Sequence, residues 1–151
     1  QHMRKMKGGK VTFTEAYKAV NEYRQKFPQK AVTFYAQNYP AMGWAVFMAG
    51  GSCPVIPCTD KAFLKDAAAM EVEETNTDEY KKMVKSDIGS IIYSKSGTEI
   101  PVQLSSGKYV LKYIHPASGK IETINKSLKI NGLYNLKVPD KKEGIYWFHK
   151  L

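Results

Sequence analysis

Arginine is almost missing from this chain. Of 23 basic residues only Arg4 and Arg24 are arginine, and the only basic cluster is Arg4-Lys5-x-Lys7 near the start. Arginine is the usual bidentate reader of phosphates and base edges. A formal charge of +9 carried by scattered lysines therefore reads as solvated surface, and nucleic acid is the last of the partners to consider. Cysteine is scarce too. Cys53 and Cys58 stand alone, with no third cysteine or nearby histidine to complete a zinc site, so no metal is expected. The two are either a disulfide closing a small loop or a pair of free, partly buried thiols. Phosphate-cradling and metalloprotease motifs are missing: there is no Walker loop, no GxGxxG and no HExxH, so no cofactor is expected.

Histidine is equally thin. His2 belongs to a Gln1-His2 stretch ahead of Met3 that reads as a tag remnant, and His115 and His149 have no Ser, Cys or Asp neighbour that suggests a triad. The acidic residues Glu71, Glu73, Glu74, Asp78 and Glu79 bunch together as a solvated linker. A glycosidase needs two carboxylates facing each other across a cleft, so no catalytic residue is assigned. No apolar run approaches the ~18–20 residues of a membrane span, and the N-terminus lacks the apolar segment of a signal peptide.

What remains is a chain of 151 residues, 43% hydrophobic, able to bury one ordinary core or two very small ones. Its halves differ in period. Thr12-Phe-Thr-Glu15 is a capping-box pattern. Phe13, Ala16, Tyr17, Val20, Tyr23 and Phe27 follow at helical spacing until Pro28 stops the helix. Residues 31–36 are rich in β-formers and read as a short strand, broken by Asn38-Tyr-Pro-Ala41. Residues 43–52 are apolar and uncharged, ending in Gly50-Gly51-Ser52. Period alone leaves them as a buried strand or a buried helix. Thr59 or Asp60 can cap a further helix carrying Ala62, Phe63, Ala67 and Met70, and a weaker helix fits 78–84.

From Ile88 onward the rhythm is that of strands and turns. Seven short strands are expected over 88–94, 99–104, 109–114, 120–124, 128–130, 133–138 and 145–151. Turns fall at Ser96-Gly97, at Ser105-Ser-Gly107 and at Pro116-Ala-Ser-Gly119. Asn131-Gly132 is a strong hairpin signal, with 133–138 pairing back across it. Turn spacing of this kind indicates a small antiparallel sandwich or barrel. The expected fold class is α+β, a helical N-terminal half packed on a C-terminal antiparallel β-sandwich. The expected organisation is a basic terminus (1–10), a mainly helical segment (11–86) and the sandwich (87–151).

Eighteen aromatic residues make 12% of the chain, and sugar-binding sandwiches use aromatic faces as platforms. Trp147 points opposite to Tyr146 and Phe148 in the last strand, so one of these faces is expected to look outward. Trp147, Tyr113 and Tyr146 are the candidate carbohydrate contacts.

Four segments of the second half resemble a known family: Ile91-Ile-Tyr-Ser-Lys-Ser-Gly97, Glu99-Ile-Pro-Val-Gln-Leu104, the hairpin over 106–119, and Glu143-Gly-Ile-Tyr-Trp-Phe-His149. Together they are similar to the C-terminal β-sandwich, also labelled a collagen-binding domain, that follows the TIM barrel in bacterial apiosidase-like glycoside hydrolases. That domain shows a W-x-x-D-P-x-T-G hairpin. Here Tyr113-Ile-His-Pro-Ala-Ser-Gly119 places His115 where the family has Asp and Ser118 where it has Thr, with Pro116 and Gly119 kept.

The resemblance implies that 43–52 is the eighth barrel strand, buried on both faces, with the catalytic carboxylates upstream of residue 1. It implies a non-catalytic C-terminal part of a periplasmic, secreted or cell-surface protein. In that part the sandwich buttresses an upstream barrel and touches a polysaccharide. An unpaired apolar strand would also invite a homo-oligomer. Two rival readings are a stand-alone binding or adaptor module and, on net charge alone, a nucleic-acid binder.

Overall fold

The computed structural model describes residues 11–34 and 40–151. Among these, three helices precede eight strands. The helices are α1 (Phe13–Lys26), α2 (Pro40–Met48) and α3 (Lys61–Ala69). The strands are β1 (Glu71–Glu73), β2 (Tyr80–Lys85), β3 (Gly89–Ser94), β4 (Glu99–Gln103), β5 (Gly107–Ile114), β6 (Ile121–Ile130), β7 (Leu133–Lys137) and β8 (Gly144–Lys150). The fold is α+β, as expected. A six-stranded antiparallel sheet in the order β1-β2-β3-β8-β5-β6 carries the helices on one face and the β4-β7 pair on the other.

Local chemistry explains the first helix. The Thr12 side chain accepts from the Glu15 amide and Glu15 returns to the Thr12 amide at 2.8 Å, closing the capping box. Ala16, Tyr17 and Val20 are its buried stripe.

The apolar segment is a helix, not a barrel strand. Residues 42 and 44–49 are all buried, with Trp44, Ala45, Met48 and Ala49 at 0% exposure. A helix apolar all round is a core helix, and α1, α3 and the sheet wrap this one. The two glycines end it: Gly50 takes φ +67, and the Gly50 and Gly51 amides bond back to the carbonyls of Phe47 and Val46. A left-handed glycine is the usual way to close a helix C-terminus. The Arg24 guanidinium caps the same end, donating to the Ala49 carbonyl at 3.0 Å. With 42 and 44–49 buried inside its own chain, the segment at 43–52 does not form the exposed apolar strand that was to drive self-association. The expected strand over 31–36 is also not formed where it is described, at 31–34; residues 35 and 36 lie outside the described residues.

The sheet starts earlier than the expected boundary at residue 87. The acidic stretch and the weak helix at 78–84 are instead β1 and β2, paired with Glu73 opposite Lys82. Lys81 and Lys82 hid this strand because both are buried yet charged. Lys81 reaches the Thr77 carbonyl at 2.7 Å and Lys82 pairs with Glu73. Residues 120–124 and 128–130 form one long edge strand, β6, whose pairing with β5 is broken by register shifts.

Asn131-Gly132 is a corner, not a hairpin. β7 pairs with β4 in the small sheet, while β6 pairs with β5 in the large one. Ile130, Leu136 and Val138 share one core, so their strands face each other across it and do not lie side by side. In this part of the chain the hairpin is β5–β6, through 115–120.

Candidate functional site

The residues that carry chemistry converge on β8, the strand at the centre of the fold. Alternation sends Ile145 and Trp147 to the helix side and Tyr146 and Phe148 to the small-sheet side. Alternation is as expected, but the outward face is not: β8 is covered by a layer on each side. Trp147 is 0%, Tyr146 1% and Tyr113 5% exposed, so all three rings are buried between layers.

On the helix side Trp147 meets Phe63 of α3 edge-on at 5.4 Å, and Phe63 stacks on Phe47 of α2. Trp44 of α2 meets both Phe47 and Phe63. Asp66 of α3, a buried carboxylate, accepts from Trp147 Nε1 at 2.9 Å and lies 2.7 Å from His149 Nδ1. Lys112 of β5 places its ammonium 4.2 Å from the Trp147 ring centroid. A carboxylate tied to two partners is the arrangement that makes a buried charge tolerable. Asp66 was missed in the sequence, although a signal was there: it falls on the same helical face as Phe63, Ala67 and Met70.

The hairpin motif docks against the helical layer. Trp44 Nε1 donates to the Pro116 carbonyl at 2.8 Å. Gly119 takes φ +69, and a Cβ there would lie 2.5 Å from the Pro57 carbonyl oxygen. Pro57 and Cys58 thus press on the turn so closely that only glycine fits. His115 turns away to bond Glu122 at 2.9 Å, and Ser118 accepts from the Lys120 amide. The His115 hydrogen bond, with Lys142 helping, holds the Glu122 carboxyl below its usual range.

The small-sheet side is closed by tyrosines. Tyr113 donates to the Glu143 carbonyl, Tyr146 to the Lys142 carbonyl and Tyr109 to the Ser105 carbonyl, each at 2.8 Å. Burial, with the neighbouring Tyr113, pushes the Tyr146 hydroxyl up to about 12.

The acidic cluster ties elements together. Glu74 accepts from Asn21 and Gln25 of α1, and Asp78 pairs with Lys18 of α1 and Lys81 of β2. Tyr17 of α1 is buried beneath Lys81, and its hydroxyl is the one buried side-chain polar atom among the described residues without a partner. Cys53 is exposed and Cys58 buried, both as free thiols. No three His, Cys, Asp or Glu side chains gather among the described residues where a metal could sit. No helix among them is long and apolar enough to cross a membrane.

The family model of a domain of unknown function (DUF6298) matches residues 1–70. No curated protein matches the chain. Among solved structures, a glycoside hydrolase aligns over 52% of this chain and 19% of its own length, at 15% identity and a TM-score of 0.40. The capsular polysaccharide assembling protein CapF from Staphylococcus aureus aligns over 54% of this chain and 31% of its own, at 16% identity and a TM-score of 0.23.

Proposed function

We propose that this chain is a non-catalytic C-terminal part of a glycoside-hydrolase-like, extracytoplasmic protein, and that its β-sandwich is a structural buttress for the helical segment before it. The observation that carries the reading is the seam around Trp147. There the central strand of the sheet holds α3 through Asp66 and an aromatic cluster, while the hairpin turn holds α2 through Trp44 and Pro116. Sequence elements that could have served a ligand are used to join the two halves. Glu74 and Asp78 act in the same sense, since they tie α1 to the segment between β1 and β2.

The parent activity, in this reading, belongs to a barrel outside these residues, and the helical segment is what that barrel would lean on. The test is twofold. The purified chain is assayed on a panel of nitrophenyl glycosides, and α2–sheet contact is weakened by Trp44→Phe, which removes the bond to Pro116. The reading expects no turnover and a loss of stability shared by helices and sheet. Turnover that disappears with an active-site titrant, or helices that melt independently of the sheet, would overturn it.

A further inference from the structure

The helix side of the sheet is not fully covered. Beyond α3, towards the β6 edge, it presents Lys108 and Lys112 of β5 and Lys129 and Thr123 of β6 beside His149 of β8. Lys108, Lys129 and Thr123 are exposed, and Lys112 and His149 are half-buried. Alternation puts them on one face, since Tyr109, Leu111 and Leu128 pack into the opposite core.

Lys108 and Lys129 are directly opposite each other in the register. Like charges at facing positions oppose pairing. Six lysines elsewhere pair with a carboxylate: Lys18, Lys81, Lys82, Lys95, Lys137 and Lys142. Among the described residues Lys108, Lys112 and Lys129 have none, and the one acid known on this face, Asp66, is already bound to Trp147 and His149. Lys112 is braced over the Trp147 ring. The result is an open shelf of lysines whose backbone positions are about 5 Å apart across strands and roughly 13 Å apart from Lys108 to Lys112 along β5.

We infer that this shelf binds a linear acidic polysaccharide, with lysines meeting the uronate carboxylates and Thr123 and the free Nε2 of His149 meeting the sugar hydroxyls. Charge complementarity carries the choice of an anionic chain. The side chains decide its kind. Lysine is a point charge that meets an isolated anionic group without the bidentate geometry of the arginine fork. Single-stranded nucleic acid needs open aromatic faces for stacking, and the one ring here, Trp147, is buried beneath Lys112. The inference stands on the sheet face and is independent of the buttress role.

The test is calorimetric titration of the whole chain with polygalacturonate at low ionic strength, with neutral galactan and oligodeoxythymidylate as comparisons. Binding should be seen with polygalacturonate, not with galactan, and should weaken as salt rises. The variant K108Q/K129Q should lose on the order of tenfold in affinity through lost counterion release, and K108Q/K112Q/K129Q more. The control K26Q/K30Q/K137Q removes equal charge elsewhere and should bind as the parent does. Lys108 and Lys129 are exposed, so the double variant keeps the test valid if the Lys112 change disturbs Trp147. No binding to polygalacturonate, an equal loss in the control, or tighter binding of the oligonucleotide through the same lysines would each overturn the inference.

Discussion

On one face of the six-stranded sheet Tyr109, Tyr113 and Tyr146 donate their hydroxyls to backbone carbonyls of the loops that close over them. On the other face Trp147 and His149 reach the single carboxylate of Asp66, and Lys112 lies over the indole. The small-sheet face is a core sealed by neutral hydrogen bonds along its rim. The helix face joins separate elements through one buried carboxyl group. The lesson is that polarity marks the junction and not a pocket: the buried carboxyl group of Asp66 sits where α3 must find its position on β8.

That contrast can be broken most severely at Trp147. Trp147→Ala should lower stability by about 3–5 kcal/mol, the usual loss for a buried large aromatic, read from denaturant unfolding, and it should loosen α2 and α3 more than β4 and β7. Asp66→Ala comes next. It leaves Trp147 Nε1 and, where His149 carries its proton on Nδ1, a second donor without an acceptor, for a loss of about 2–3 kcal/mol; hydrogen exchange should rise in α3 first.

Alkaline pH sharpens the comparison from the other face. The ordinary tyrosine value of 10.0 is raised to about 12 at Tyr146. The folded chain therefore keeps a proton that the unfolded chain gives up above about pH 10. Unfolded chains then bind fewer protons, so stability is full below pH 10 and falls as pH rises through 12. Tyr17 on the helix side, also pushed up to about 12 by burial, acts in the same direction. Denaturant midpoints measured from pH 8 upward should fall, and Tyr146→Phe should shrink that fall. At neutral pH Tyr146→Phe loses only a neutral hydrogen bond, about 0.5–1.5 kcal/mol. Smallest of all is Lys137→Gln. The Lys137–Glu99 pair is on the exposed outer side of the β4–β7 ladder, and its loss should change stability by less than about 0.5 kcal/mol.

Legibility followed the strength of local signals. α1 was readable because the capping box, the stripe and Pro28 agree, and α3 because Asp60 caps a short apolar stripe. β3, β4, β5 and β8 were readable because alternation and turn residues coincide. α2 was not, since a segment buried on every side has no amphipathic period to distinguish helix from strand. β2 was hidden by lysines whose charges are satisfied only by partners on the neighbouring strand or in a folded loop. The corner at Asn131-Gly132 was misread because a turn signal does not say which sheet the next strand joins. In the site, the opposite directions of Trp147 and Tyr146 were legible, but that both faces are covered follows from the third layer, which no local pattern announces. The burial of Trp147, Tyr113 and Tyr146, the residues expected to contact glycan, follows from that layer.

The central claim is that sandwich and helices stabilise one another as one unit. It is tested most directly by equilibrium unfolding followed with two probes at once: fluorescence of Trp44 and Trp147, which report the seam, and far-ultraviolet circular dichroism, which reports the backbone. The account predicts coincident transitions with a single midpoint. A seam signal lost well before the backbone signal, leaving a folded sheet without its helices, would contradict it.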